Sequence, residues 1–589
     1  MLAGAVSLAP LCAQAADQPK AAIEGVSDKK LLAEIQDAIG TVQRPAVSRF
    51  DARRRANDAA EQVVAVLRSE GYYDYDVVPD ATDADPPTAL VRVDPGPRYR
   101  VGAVGVDWLK PPQDQKTQDS ALDAVGLKRG DPGRAVDVIA SEGRVVAALT
   151  QRGYADAKPA DRKVVVDHAD HTVNPTFRID AGPLVRLDGL QVQTDGRTNP
   201  AWVASLAPWH EGDAYAPAKV AELERRLRDT QVYRQITVAL APAEQTDAKG
   251  KRPVVVSLAD RAPATIEAGV GYSTAEGLGL DVAYNRYNQL RRADTMTFLA
   301  RYADIDKRLG AQVALPHWGR PGRTLTLGTD LYDQTTPAYH RTGADLRADL
   351  KQRFGKTSFY DVGLTIEYDR NRQADFDPAH NVLTPADLRL AIATLNTGLN
   401  LDRSDDPLNP TRGWKVMATA DPTLVTGDRP VTFLRAQVQG STYLPLDKSA
   451  RTVVATRLRL GSIVNGSIND IPSDRRFYAG GSGSVRGYGY QRVGPILPNN
   501  QPEGGLSLAE ASLELRRAVT PNWGVVGFVD AGSIGGSAAP DFSHLSAGAG
   551  FGVRYFLPFA PIRADIAFPF QRPRGDAGFQ LYVSIGQAF

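Results

Sequence analysis

The chain has 589 residues, 42% of them hydrophobic and 23% charged, with a formal net charge of +1. A prior of about 150 residues per domain allows roughly four domains. The near-neutral charge carries no nucleic-acid footprint, and no run of about 18 uncharged apolar residues beyond the N-terminus offers a transmembrane helix.

Residues 1–15, MLAGAVSLAPLCAQA, form a short apolar run ending in Ala13-Gln14-Ala15, the small-residue pattern of a cleaved signal peptide. No basic residues precede it, which points to a start codon upstream. Cys12 also admits a lipoprotein reading, which Pro10-Leu11 before it argues against. Cleavage after Ala15 removes the only cysteine, and with it any disulfide framework or cysteine-based metal site.

The front half is repetitive. RSEGYYDYDV (68–77), TQRGYADAKP (150–159) and RDTQVYRQITV (228–238) each end a helical stretch in a turn and resume as a strand. VRVDPGPRYRVGAVGV from Val91 and FRIDAGPLVRLDGLQV from Phe177 each run an alternating strand into a Gly-Pro turn, at Gly96 and Gly182. Ala60, Val63, Val64 and Leu67 fall at helical spacing, as do Val220, Leu223 and Leu227. Each unit of about 80 residues therefore reads strand, helix, helix, strand, strand: a small α+β domain with a helix pair on one face of a sheet. DATDADPP at 80–87 reads as a turn within the first unit.

Past residue 262 helical periodicity gives way to segments of about 10 alternating residues divided by Gly, Asp, Asn and Pro, the transmembrane β-barrel pattern. Leu325, Leu327 and Leu331 oppose Thr326, Gly328 and Asp330. Leu434, Ala436, Val438 and Leu444 oppose Arg435, Gln437 and Gln439; Leu458 and Leu460 oppose Arg457 and Arg459. In the last strand Phe579, Leu581, Val583, Ile585 and Phe589 share a face. Charges keep to one face, and about 16 strands in series exceed one sandwich. The expectation is an all-β antiparallel 16-stranded barrel from roughly 263–273 through 578–588.

Between the strand patterns at 451–464 and 504–518 lies FYAGGSGSVRGYGYQRVGP, residues 477–495. It lacks GK[ST] and the strand–GxGxxG–helix setting, so it binds neither phosphate nor dinucleotide in the familiar ways. So glycine-rich and apolar a segment suits a loop folded back into a barrel lumen better than a surface loop. There Arg486 needs a carboxylate partner. Alternation aims Asp530, Asp565 and Glu514 inward, and these are the candidates, with Asp530 and then Asp565 preferred. The bland alternative is that these acids merely line a wet channel.

At these residues the chain resembles a family. VRGY (485–488), LDRSDDPLNPTRGW (401–414), FVDAG (528–532) and GAGFGVRYFLPFAPIRADIAFPF (548–570) are similar, in that order, to motifs of the outer-membrane insertase and exporter superfamily, in which α+β POTRA repeats precede a 16-stranded barrel. GVGYSTAEGLGLDVAYNRYN (269–288) looks like its first hairpin, FQLYVSIGQAF its closing strand. The resemblance divides the chain into a signal peptide (1–15), POTRA 1 (22–98), POTRA 2 (99–183), POTRA 3 (184–261) and barrel (262–589). Three POTRA units look like the TamA (translocation and assembly module) branch. BamA usually carries five, and two-partner secretion transporters two.

The resemblance implies a bacterial outer-membrane location with POTRA domains in the periplasm, and a non-enzymatic role in inserting or exporting unfolded outer-membrane or autotransporter-like clients. It implies contact with outer-membrane lipid, a TamB-like inner-membrane-anchored partner and no cofactor. Val485, Arg486, Gly487 and Tyr488 become the functional loop motif. The seam where the first strand meets the last becomes a candidate lateral gate, with Gly269, Gly271, Gly586 and Phe589 on its two sides. A gated seam would let an incoming strand pair with an exposed edge; a lone glycine there equally suits a bulge or an aromatic contact. A two-partner secretion transporter, a passive pore and an outer-membrane hydrolase are the competing classes. The last finds little support, since only seven histidines occur and His168 and His171 have no third metal ligand in view.

Overall fold

The computed structural model describes residues 18–273, 277–558, 561–572, 575–585, 587 and 589. The expected signal peptide, with Cys12, and the gate candidate Gly586 lie outside the described residues.

The first repeat comprises β1 (Gln18–Pro19), β2 (Ala22–Glu24), α1 (Lys29–Ile39), β3 (Thr41–Val42), α2 (Arg49–Ser69), β4 (Asp76–Ala81) and β5 (Ala89–Asp94). Both helices start at side-chain caps: Asp28 accepts from the amides of Lys30 and Leu31, and Ser48 from that of Asp51. One stripe of α2, with Ala52, Ala56, Ala59, Val63 and Leu67, is buried. Val63 and Leu67 share a core with Leu31, Ile35, Val91 and Val93; Val64, expected on that stripe, is only partly covered. The second repeat comprises β6 (Arg100–Val101), β7 (Gly105–Lys110), α3 (Gln115–Asp123), α4 (Ala135–Gln151), β8 (Lys158–Pro159), β9 (Lys163–Asp167) and β10 (Thr172–Asp180). The third comprises β11 (Arg186–Thr194), α5 (Pro200–Ser205), α6 (Pro217–Asp229), β12 (Tyr233–Leu240) and β13 (Lys251–Asp260). In every repeat the strand that comes last in sequence lies mid-sheet: β2-β5-β4, β7-β10 with β9, and β11-β13-β12. β5 and β10 run parallel to the opening strand and antiparallel to the preceding one. The intervening helix pair supplies the long crossover that a parallel pairing needs.

The chain folds as two compact units. One takes in residues up to Gln191 with Ala207–Leu223 and Val238–Val256; the other comprises Val192–Leu206, Glu224–Thr237 and Ser257–Phe589. The segment 184–261, which reads as one domain in the sequence, contributes to both. Within the first unit the repeats are joined by buried charge: Glu70 accepts from Arg98 (2.7 Å) and Arg134 (2.8 Å), and Asp156 from both terminal nitrogens of Arg252 (2.9 and 2.6 Å).

The second unit contains the closed barrel. Its strands are β14 (Ala264–Ser273), β15 (Gly277–Tyr287), β16 (Thr295–Ala303), β17 (Asp306–Pro316), β18 (Arg323–Thr335), β19 (His340–Phe354), β20 (Ser358–Asp377) and β21 (Val382–Asp402). They continue as β22 (Gly413–Gly427), β23 (Val431–Pro445), β24 (Thr452–Val464), β25 (Ser507–Ala518), β26 (Trp523–Gly535), β27 (Ser546–Phe556), β28 (Pro561–Pro569) and β29 (Gln580–Ile585). Each pairs with its neighbours in sequence, and β29 closes on β14. Alternation sets the faces: Leu513, Leu515, Val529 and Ile562 point outward and exposed, Glu514, Asp530 and Asp565 inward and buried. Apolar surface on this scale would be an aggregation liability in water; on a barrel it meets hydrocarbon. The wall is uneven, with 10, 11 and 9 residues in β14, β15 and β16 against 20 and 21 in β20 and β21. β14 begins and β29 ends at one rim, the near rim. The connection 465–506 springs from the opposite, far rim. One expectation is corrected here: Phe589 does not extend the outward face of the last strand. It packs on Tyr443, Val453 and Ala455, and its carbonyl accepts from Arg516 (3.2 Å).

Candidate functional site

The connection 465–506 turns inward, and its apolar side chains bury themselves there. Ile471, Phe477, Val485, Tyr488 and Val493 form one core with strand residues such as Leu390, Ile463 and Ile534. At this far end the inward face is therefore apolar, a local reversal that gives the loop somewhere to dock. Polar ties flank it. Asp474 accepts from Arg341 (3.1 Å) and Asn371 (2.5 Å), Arg475 pairs with Glu367, and Arg492 donates to Asp576 (2.9 Å).

The loop tip carries the buried cation. Arg486 is 1% exposed. Its Nε and Nη2 donate to the two oxygens of Asp530 (2.6 and 3.0 Å), and its backbone amide donates to the same carboxylate (3.2 Å). Nη1 lies 2.7 Å from Glu514 and 3.4 Å from Asp565. All three candidate carboxylates therefore meet at Arg486, with Glu514 closer than Asp565, the reverse of the order expected from sequence. Arg516 pairs with Glu514 (2.8 Å) and Arg554 with Asp565. The Arg486 guanidinium also stacks 3.5 Å from the Phe528 ring centroid. A fork held by one bidentate carboxylate and two further acids satisfies the geometry a buried guanidinium requires.

Glycine is needed at two places around this knot. Gly487 has φ +99°, and a Cβ there would lie 2.8 Å from the Phe568 backbone; a Cβ on Gly548 would strike the Arg486 carbonyl. Val485 is fully buried, and Tyr488 donates to the Ala547 carbonyl (3.2 Å).

Several residues of the site escaped the sequence reading. Arg457 donates to the carbonyls of Gly483 (2.8 Å) and Ser484 (3.2 Å), and Ser484 donates to Glu510. Tyr582 on β29 accepts from the Gly487 amide (3.2 Å) and donates to the Tyr488 carbonyl (3.3 Å). The inward parity of Arg457 and Glu510 was readable, but their contact with the loop was not.

Tyr582 also belongs to the seam. β14 pairs with β15 along its whole length, from Ala264↔Arg286 to Ser273↔Gly277. Among the described residues it pairs with β29 only at Tyr272↔Val583 and Ser273↔Tyr582. Gly269 and Gly271 lie on the open stretch, and a Cβ on either would meet nothing within 4 Å. The β14–β15 register runs without a bulge past both. Phe589 sits away from the seam strand, with Arg457 and Arg516 each 5.3 Å from its ring centroid.

His168 and His171 gather on Asp74 rather than on a metal set. Asp74 accepts from Tyr99 (2.6 Å) and His168 (2.6 Å), with His171 at 3.5 Å. Those donors hold the Asp74 carboxyl below its usual range, while burial, and then Asp74, push Tyr99 up to about 12. Among the described residues no group of three side chains is placed to bind a metal.

Comparison with known proteins matches residues 288–589 to the family model described as the Omp85 superfamily domain. The chain is 22% identical to the outer membrane protein assembly factor BamA of Nitratidesulfovibrio vulgaris, over 97% of this chain and 73% of that one. It is 20% identical to BamA of Neisseria meningitidis serogroup B, over 96% and 76%. Among solved structures it resembles BamA from Haemophilus ducreyi lacking POTRA domains 1–3, with a TM-score of 0.68, 20% identity, and coverage of 82% of this chain and 99% of that one.

Proposed function

Because this chain belongs to the Omp85 superfamily, we propose that it is an outer-membrane assembly and translocation factor whose barrel seam opens sideways to admit an unfolded client strand. One observation carries the reading: a closed barrel is joined to itself, among the described residues, at only two register positions. Among the described residues every other strand pair of the barrel is joined at more register positions, six between β28 and β29 and ten between β14 and β15, which makes the seam the shortest described pairing. The freed β14 edge offers unpaired N–H and C=O groups to an extended chain, which is strand addition. Tyr582 links the loop tip to the seam, which supports a role for the Arg486 knot in biasing the seam towards its closed state.

A finer reading follows from the three front repeats. They support a TamA-like role, with autotransporter-like clients and a TamB-like inner-membrane-anchored partner met by the front domains. Pull-down from native membranes, with 22–98 present or deleted, tests that partner.

The gate is tested by a disulfide across Tyr272→Cys and Val583→Cys. Directly opposed antiparallel residues lie about 4.5–5.5 Å apart at Cα, within disulfide range. The oxidised protein is expected to stop inserting clients and to recover on reduction. Insertion at the open rate by the crosslinked barrel removes the gate, as a passive conduit would require.

A further inference from the structure

The lumen wall built by β24 to β29 has more guanidinium than carboxylate can satisfy. Among the described residues, buried N–H groups without an acceptor occur at Nε of Arg457 and Arg459 and at Nη1 of Arg516 and Arg563. The acids of this wall are already taken: Glu510 by Arg457 and Arg459, Glu514 by Arg486 and Arg516, Asp530 by Arg486, and Asp565 by Arg486 and Arg554. Arg563 is the extreme case. It is 6% exposed, and its Nε donates to Ser584 Oγ at 2.5 Å. Its partner in register is another arginine, Arg554, which Asp565 neutralises. Like charges directly opposed across strands destabilise a sheet, and Arg563 feels Asp565 and Glu514 only at a distance, with no direct ion pair to offset its burial.

The row Arg554–Arg563–Ser584 runs across β27, β28 and β29 close to the near rim. Its next position would fall beside Ser584, where, among the described residues, the pairing of β29 with β14 has already stopped at Val583. A strand added there places an inward-facing group two strands from Arg563, about 10 Å between backbones. A guanidinium and a carboxylate leaning towards each other span that gap. We infer that Arg563 and its row form a receptor for a carboxylate on the incoming polypeptide, either an acidic side chain or a terminal carboxyl. The inference rests on client entry at the seam. It adds a charge criterion to strand pairing: the backbone edge accepts any extended chain, whereas the arginine row favours one with a carboxylate at the near rim.

The test uses the full chain in detergent micelles and three fluorescein-labelled 12-residue amphipathic strand peptides. One ends in a free acid, one in an amide, and one in an amide with a single inward-register glutamate. Fluorescence anisotropy is expected to show a carboxylate-bearing peptide binding about tenfold tighter than the plain amide, the scale of one charge-assisted hydrogen bond. Which of the two binds tighter identifies the source of the carboxylate. Arg563→Gln, which removes a buried cation that has no direct ion pair and keeps a donor for Ser584, is expected to erase the preference, and Arg563→Lys to keep part of it. Equal binding of acid and amide by the unmodified protein overturns the inference without recourse to any variant, as does an undiminished preference in Arg563→Gln. If the Tyr272–Val583 crosslinked barrel binds all three peptides as the open one does, the seam reading falls while the arginine row keeps its ligand.

Discussion

Arg486 is held by charge geometry, and its removal would be felt beyond its own contacts. Truncation leaves Asp530, Glu514 and Asp565 buried around a hole, with Arg516 and Arg554 as their remaining ion-pair partners among the described residues. Breaking a buried ion pair from one side costs about 3–5 kcal/mol. Arg486→Ala is therefore expected to lower the urea midpoint of the folded barrel and slow client insertion, and Arg486→Glu to do both more severely. Lysine restores charge without the fork and falls between. An unchanged midpoint in Arg486→Ala would falsify the latch. At this scale the residue types were legible, because inward parity and a glycine-rich loop leave few uses for an arginine. Phe528 and Tyr582 were not legible: an aromatic on a strand declares which face it occupies, not which loop will lie across it.

At the scale of elements the seam and its neighbours carry the argument. Gly269 and Gly271 have open space where a Cβ would lie, with nothing within 4 Å, which leaves room for a β-branched side chain. Strand propensity favours Val over Gly by up to about 1 kcal/mol per site. Gly269→Val/Gly271→Val is expected to extend the β14–β29 pairing and reduce insertion while raising thermal stability. Insertion undiminished in a more stable barrel would contradict the gating role of these glycines. A second joint ties α6 to the barrel turn 317–322. His317 Nε2 donates to the Arg226 carbonyl (2.9 Å), and its Nδ1 accepts from the Gly322 amide (3.0 Å). Burial first, with the nearby charges of Arg226 and Arg353 and against that of Asp229, keeps this imidazole below its ordinary 6.5. The folded state then binds fewer protons than the unfolded state below that value. The stability it adds is present above about pH 6.5 and is lost as pH falls towards the lowered folded value. Amide protection in 217–229, corrected for the intrinsic pH dependence of exchange, should fall between about pH 7.5 and 5.5, and His317→Gln should flatten the dependence. An equal pH response in that variant would assign the effect elsewhere.

For the whole molecule the deciding property is a wall with hydrocarbon on one side and a filled, charged lumen on the other. Leu513→Arg, on the outer face at the centre of β25, is expected to cost about 2–4 kcal/mol and to impair assembly. Val519→Arg, past the end of β25, is expected to cost little, because a charge beyond the strand reaches water. Similar losses for both would mean that the outward face does not meet lipid.

Composition and periodicity alone determined the class: repeats of strand, helix, helix, strand, strand, then an alternating series ending as a barrel with acids inside. Alternation of period two is a local property, imposed by the pleat on every strand wherever it lies. Partnership is not local. That Ser273 meets Tyr582, that Arg563 faces Arg554, that Glu514 outranks Asp565 at Arg486, and that Phe589 leaves its strand for the lumen were decided only by tertiary structure. Each depends on where a ring of sixteen strands closes, and closure sums the stagger of every strand pair in the ring.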